Sequence, residues 1–315
     1  MCRKLWKACC APPRPLLLEK SDHAMIHPAL AGLIDRYQPQ SSKDYQNAVR
    51  EIVQEIALLG LWRTPFYEHA AFYGGSALRI FHGLQRFSED LDFSLLEPKL
   101  DFSLKPYLGA VADELAAWGF EFSAEGIEKT KRTSIESAFL KGSTMINLLQ
   151  IGAPPEIASR LPKGQLIRIK LEIDINPPPG AGTEMFTRLV PTPHQVRLYD
   201  LPSLFAGKLH AVLCRNWKSR VKGRDFYDLI WYVGRRVPLN IAHLEARMRQ
   251  SGDWTHETPL DVAGLRKCLE ERFAAIDFDQ AKEDVAPFLK DSRELTLWGF
   301  GFFMELIPQI ETSEG

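Results

Sequence analysis

Asp90 and Asp92 stand two apart in the segment RFSEDLDF, and a Gly-Gly-Ser turn, Gly74 to Ser76, lies upstream with thirteen residues between Ser76 and Asp90. On a strand, both carboxylates leave the same face. Two hard oxygen ligands on one face suit Mg²⁺ held against a triphosphate, because this ion takes one or two carboxylates and fills its shell with phosphate and water. The glycines let backbone approach a ligand, and if Ser76 opens a helix, its free N–H groups and positive dipole end favour a phosphate. Taken together, the turn and the acidic pair have the chemistry of metal-dependent nucleotidyl transfer. A DxD alone is more often a solvated strand end, and glycosyltransferases and some phosphatases carry one too. Neither class accounts for the glycine turn upstream or the basic stretch downstream.

That chemistry calls for a third carboxylate on a neighbouring strand, to complete the metal site and help deprotonate an attacking hydroxyl. The segment IRIKLEIDIN, residues 167 to 176, alternates apolar and polar positions as a half-buried strand does. Glu172 and Asp174 lie on its polar face, and the spacing admits either. Further on, Asp200 and Ser203 can cap a helix that turns Leu204, Phe205, Leu209, Val212 and Leu213 inward. Lys208 and Arg215 share one stripe of that helix. Arg215, Lys218, Arg220, Lys222 and Arg224 then put five cations into ten residues, a run that is otherwise a solvated loop. In the next helix Phe226, Leu229, Ile230 and Val233 form the core stripe, while Asp225, Asp228 and Tyr232 share an adjacent edge that can reach a cleft. The plain alternative for Asp228 is an i,i+4 pair with Arg224.

Three strings carry a family resemblance: GGSALR, RFSEDLDF and KLHAVLCRNWKSRVKGRDFYDL. Together they resemble the AbiEii/AbiGii toxin family of nucleotidyltransferases, within the DNA polymerase β-like superfamily whose motif is a GS followed at a distance by DxD. The resemblance spans roughly residues 45 to 235. It implies an α/β (α+β) nucleotidyltransferase core with a mixed sheet, Mg²⁺ as cofactor and an NTP as substrate. Asp90, Asp92 and one of Glu172 or Asp174 would hold the metal, and the Lys-x-acid-Ile context of the family favours Glu172. Gly74, Gly75, Ser76 and Lys208 would hold phosphate, while Arg224 and Asp225 would build the far wall of the site. Arg215, Lys218, Arg220 and Lys222 would meet an RNA acceptor, the tRNA 3′ end, with translation blocked as the result. A cognate antitoxin is the expected partner. Transfer to a protein or small-molecule hydroxyl, and a non-catalytic nucleotide- or RNA-binding module, are the competing readings.

The rest of the chain sets the frame. Its 315 residues are 45% apolar and 25% charged, as in ordinary globular proteins, with room for two domains. A net charge of −1 announces no nucleic-acid partner by itself. No apolar run would span a bilayer, and the five cysteines form neither a zinc spacing nor a disulfide framework, so a cytoplasmic setting is expected. Residues 1–24 are expected to be a disordered extension, too broken by proline for a signal peptide, with Met25 as a possible working start. Residues 25–199 would form the catalytic core and 200–315 a helical C-terminal domain. Within the core, a helix from Ser42, capped by Ser41 or Ser42, is expected to end at Gly60. A strand should feed the glycine turn, followed by a helix over about 77–82 and a strand over 90–95. Residues 105–119 suit a helix, and 120–127, 132–140 and 143–151 suit antiparallel strands.

Overall fold

The computed structural model describes residues 28–127, 134–150, 153–159, 162, 164–215 and 221–313. The expected extension and the cations Lys218 and Arg220 lie outside these residues. Along the chain come α1 (Pro28–Asp35), α2 (Ser42–Trp62), α3 (Phe66–His69), β1 (Ala70–Tyr73), α4 (Gly74–His82), β2 (Leu91–Leu95) and α5 (Lys105–Ala117). Next are β3 (Ser123–Gly126), β4 (Ile135–Ser143), α6 (Thr144–Gln150), α7 (Pro155–Ala158), β5 (Leu166–Asp174), β6 (Thr183–Arg188) and β7 (His194–Tyr199). Helices then dominate: α8 (Leu201–Cys214), α9 (Gly223–Gly234), α10 (Ile241–Ser251), α11 (Val262–Ala274), α12 (Phe278–Val285) and α13 (Phe300–Leu306).

The strands form one mixed seven-stranded sheet in the order β3-β4-β5-β2-β1-β7-β6. Two junctions are parallel, β2 with β5 and β1 with β7, and the others are antiparallel. In β5 the predicted alternation holds: Ile167, Ile169, Leu171 and Ile173 are buried, while Glu172 and Asp174 are half-buried on the other face. Phe66, Phe72 and Phe93 meet in the core behind β1 and β2. No helix among the described residues is long and apolar enough to cross a membrane.

Three local expectations change. Helix α2 opens as expected, with a capping box between Ser41 and Asp44, but runs through Gly60 to Trp62. Gly60 instead faces α5, where a Cβ would meet Val111 Cα at 2.8 Å, so its lack of a side chain lets two helices touch. The same helix is buried from Glu51 to Leu61 on every side rather than along one stripe. Its acids Glu51 and Glu55 are matched there by Arg79 and Arg188, each at 2.8 Å. Residues 144–150 form a helix, not a strand. The Ser143 hydroxyl accepts the Ile146 N–H at 3.4 Å as the chain leaves β4.

The C-terminal helices pack around Phe226, Phe273, Phe278 and Phe303, with Phe278 and Phe303 stacked at 4.7 Å. Asp200 caps α8 by accepting the Ser203 N–H at 2.9 Å. Tyr232 borders the cleft as expected from its helix edge, but it is only 1% exposed and stacks on Phe205 at 4.5 Å.

Candidate active site

Strand β1 delivers the chain to Gly74, whose φ of +81° turns it into α4. The helix begins at the glycines themselves, three residues earlier than expected. A Cβ on Gly74 would lie 2.7 Å from Asp92 Oδ2, and one on Gly75 would lie 2.5 Å from an Arg86 guanidinium nitrogen. Only glycines let the turn close over both groups. Ser76 is fully buried, and its hydroxyl donates to the backbone carbonyl of Asp90. The serine thus fastens the turn to the acidic segment and does not present its hydroxyl to a ligand.

Register decides which acids meet. In the parallel β2/β5 pair, Asp92 stands opposite Glu172 and Ser94 opposite Asp174. Asp90 immediately precedes β2. Burial pushes the Asp92 carboxyl up to about 7, with Asp90 and Glu172 adding to the effect while Lys208 and Arg215 oppose it. Burial also raises Asp90, reinforced by Glu89 and Glu172. Glu172 is paired with Lys170 at 2.7 Å. Asp174 accepts the Asn176 N–H at 3.0 Å, and burial raises its carboxyl against the pull of Arg247. Neither Asp90 nor Asp92 forms an ion pair among the described residues. Three hard-oxygen donors that repel one another, two of them with no ion-pair partner among the described residues, fit a divalent ion of the Mg²⁺ type.

These groups open into a cavity of about 520 Å³, lined by Gly74, Asp92, Glu172 and Asp174 on the sheet side and by Lys208 and Arg247 on the helical side. Lys208 is held twice, by Asp225 at 2.7 Å and Asp228 at 2.9 Å. Arg215 also reaches Asp225, at 2.7 Å, so the stripe shared by Lys208 and Arg215 converges on one carboxylate. Burial works against the charge on Asp225, but the two cations outweigh it and hold its carboxyl below the usual range. Asp228 is fully buried and does not pair with Arg224. It receives two 2.6 Å bonds from Arg86 instead. Arg224 turns away from the cavity to Glu89, at 3.1 Å, with its guanidinium 4.2 Å from the Phe288 ring centroid. Lys222 is exposed at the start of α9.

Two functional candidates carried no sequence signal. Arg86 lies within RFSEDLDF, but its partner Asp228 is 142 residues away. Arg247 sits in an ordinary amphipathic helix. Its guanidinium lines the cavity with a buried Nε that has no partner, and it forms no ion pair among the described residues. His243, expected to have a core or surface role, is buried with Nδ1 2.9 Å from the Pro179 carbonyl.

Residues 56–305 match the protein family described as nucleotidyl transferase AbiEii toxin, type IV toxin-antitoxin system. The chain belongs to the AbiEii family. This AbiEii protein is therefore a nucleotidyltransferase of the toxin-antitoxin class, and its family implies a nucleotide substrate and an antitoxin partner. No curated protein matches it. Two solved structures are similar at 20% identity. One is a provisionally described nucleotidyltransferase from H. pylori, with a TM-score of 0.44 and coverage of 82% of this chain and 91% of that one. The other is JHP933 from Helicobacter pylori, with a TM-score of 0.45 and coverage of 83% and 91%.

Proposed function

We propose that this AbiEii protein uses Mg²⁺ to transfer a nucleoside monophosphate from an NTP to an RNA acceptor, the tRNA 3′ end, and so blocks translation. The observation that carries this reading is the β2/β5 register, which sets Asp92 beside Glu172 at the mouth of the Gly74–Ser76 turn. Asp90, Asp92 and Glu172 would hold the ion, which would neutralise triphosphate charge and stabilise the departing pyrophosphate. The N–H groups that open α4 bind phosphate oxygens, and Arg247, which forms no ion pair among the described residues, adds a guanidinium fork to them. Asp225 and Asp228 orient Lys208 toward the same charge. Glu172 takes the proton of the RNA hydroxyl as its oxygen bonds to the α-phosphorus and the bond to pyrophosphate breaks. Arg224, through Glu89, braces the segment that carries Asp90.

In this reading residues 25–199 supply the acids and residues 200–315 supply Lys208, Arg215 and Arg247. Arg215, 45% exposed at its side chain, and Lys222, exposed at the start of α9, meet the acceptor. The enzyme works in the cytoplasm, where tRNA and NTP are both at hand. The test is to incubate the pure protein with total RNA, Mg²⁺ and each labelled NTP in turn. Label in the tRNA fraction, absent with Asp92→Asn, is the expected outcome. Label on protein or on a small molecule would move the acceptor to those classes, and no label in any fraction would overturn the enzymatic reading of this site.

A further inference from the structure

A second cluster with different donor chemistry lines the helical side of the same cavity. His210 and Cys214 stand four apart on α8, so both side chains leave one helix face. Asp253 stands two residues past the end of α10, after the Gly252 cap. One donor atom from each, an imidazole nitrogen, a sulfur and a carboxylate oxygen, lies within 4.8 Å of the other two. Ser251 braces the group, with its hydroxyl 3.0 Å from His210 Nε2 and 2.5 Å from Asp253 Oδ2.

Two other uses of these residues fail on chemistry. A Ser-His-Asp relay needs the carboxylate on the imidazole, whereas here it contacts the hydroxyl. A cysteine nucleophile needs a thiolate, but burial, with Asp253 adding to it, pushes the Cys214 thiol up to about 12. A bound cation would draw off that proton. His210 offers an imidazole nitrogen, a donor well suited to such a cation.

We propose that His210, Cys214 and Asp253 form a transition-metal site of the Zn²⁺ type, separate from the carboxylate site on β2 and β5. The mixed nitrogen, sulfur and oxygen set suits Zn²⁺ and is foreign to Mg²⁺, which prefers oxygen. Bonds of about 2.0–2.3 Å in a tetrahedron put ligand atoms roughly 3.5 Å apart, so closing the set takes about 1 Å of movement, within reach of side-chain rotation. On binding, the Cys214 S–H bond breaks, its proton leaves to solvent and a sulfur–metal bond forms. Thiolate and carboxylate then neutralise the dication, so Arg247, Arg215 and Arg272, the cations acting on these groups, face a neutral cluster and not a net positive ion. Three protein ligands leave a fourth position open. The ion also ties the end of α10, the helix of Arg247, to α8, the helix of Lys208.

The test is to titrate the full chain, stripped of metal, with Co²⁺ and follow the thiolate-to-cobalt charge-transfer absorption. A saturable band of one Co²⁺ per chain is expected, bleached by Zn²⁺ and untouched by excess Mg²⁺. Cys214→Ser should abolish the band, and His210→Ala and Asp253→Asn should each weaken binding at least about tenfold. Asp92→Asn and Cys268→Ser should leave it unchanged, which separates this site from the carboxylate site and from the neighbouring thiol. No band in the wild type, or a band that survives Cys214→Ser, would overturn the proposal.

Discussion

Asp92→Asn is expected to stabilise the metal-free protein while it destroys transfer. The Asp92 carboxyl moves from an ordinary value of 3.8 to about 7 in the fold, pushed first by burial and then by Asp90 and Glu172. Between those values the unfolded chain has lost the proton and the folded one keeps it, so ionising Asp92 counts against the fold. Stability is whole below about pH 4, falls as pH rises toward 7 and stays low above it. A gap of about 3 pH units at about 1.4 kcal/mol each gives roughly 4 kcal/mol at pH 8 and under about 1 kcal/mol at pH 4. Asp92 is only half-buried and one edge meets the cavity, so 4 kcal/mol is an upper bound. Asparagine keeps the shape and deletes the charge. Urea unfolding in EDTA should therefore show the variant about 2–4 kcal/mol more stable at pH 8 and nearly equal at pH 4. Mg²⁺ should raise wild-type stability at pH 8 and close the gap, because a bound ion compensates the same charge. An advantage of equal size at pH 4 and pH 8, or none at pH 8, would refute the reasoning.

Glu172→Gln should lower single-turnover transfer by about 100-fold or more at saturating Mg²⁺, while Asp174→Asn stays within about tenfold, because only Glu172 stands opposite Asp92. The reverse order would reassign the third carboxylate to Asp174. Arg247→Ala should weaken NTP binding by about tenfold, roughly 1.4 kcal/mol, as read with a fluorescent nucleotide, and unchanged affinity would remove Arg247 from the phosphate site. Asp228→Ala strands the buried Arg86 and leaves Lys208 with one partner, so it should cost about 3–5 kcal/mol of stability in urea. A loss below about 1 kcal/mol would mean that those cations find other partners.

Short-range rules made much of the chemistry legible from the chain alone. The Gly74–Ser76 turn, the Asp90/Asp92 pair, the alternation of β5 and the Asp200 cap are each fixed by residues a few positions apart, so dihedral preference and side-chain period suffice to find them. What β2 and β5 do together is a long-range matter. Periodicity put Glu172 and Asp174 on one face, but only the pairing register sets Glu172 against Asp92 and leaves Asp174 beside Ser94. The same limit hid Arg86, whose carboxylate comes from a helix 142 residues away, and the meeting of His210 and Cys214 with Asp253, which depends on how α10 crosses α8. Burial is decided in the same way. Helix α2 reads as amphipathic by period, yet its place at the centre buries Glu51 and Glu55, and their charge is tolerable only because Arg79 and Arg188 arrive from distant segments. Sequence determines which groups can do chemistry and how each element turns locally. Tertiary structure decides which groups share a low-dielectric space, because charge coupling and desolvation depend on distances that only packing sets.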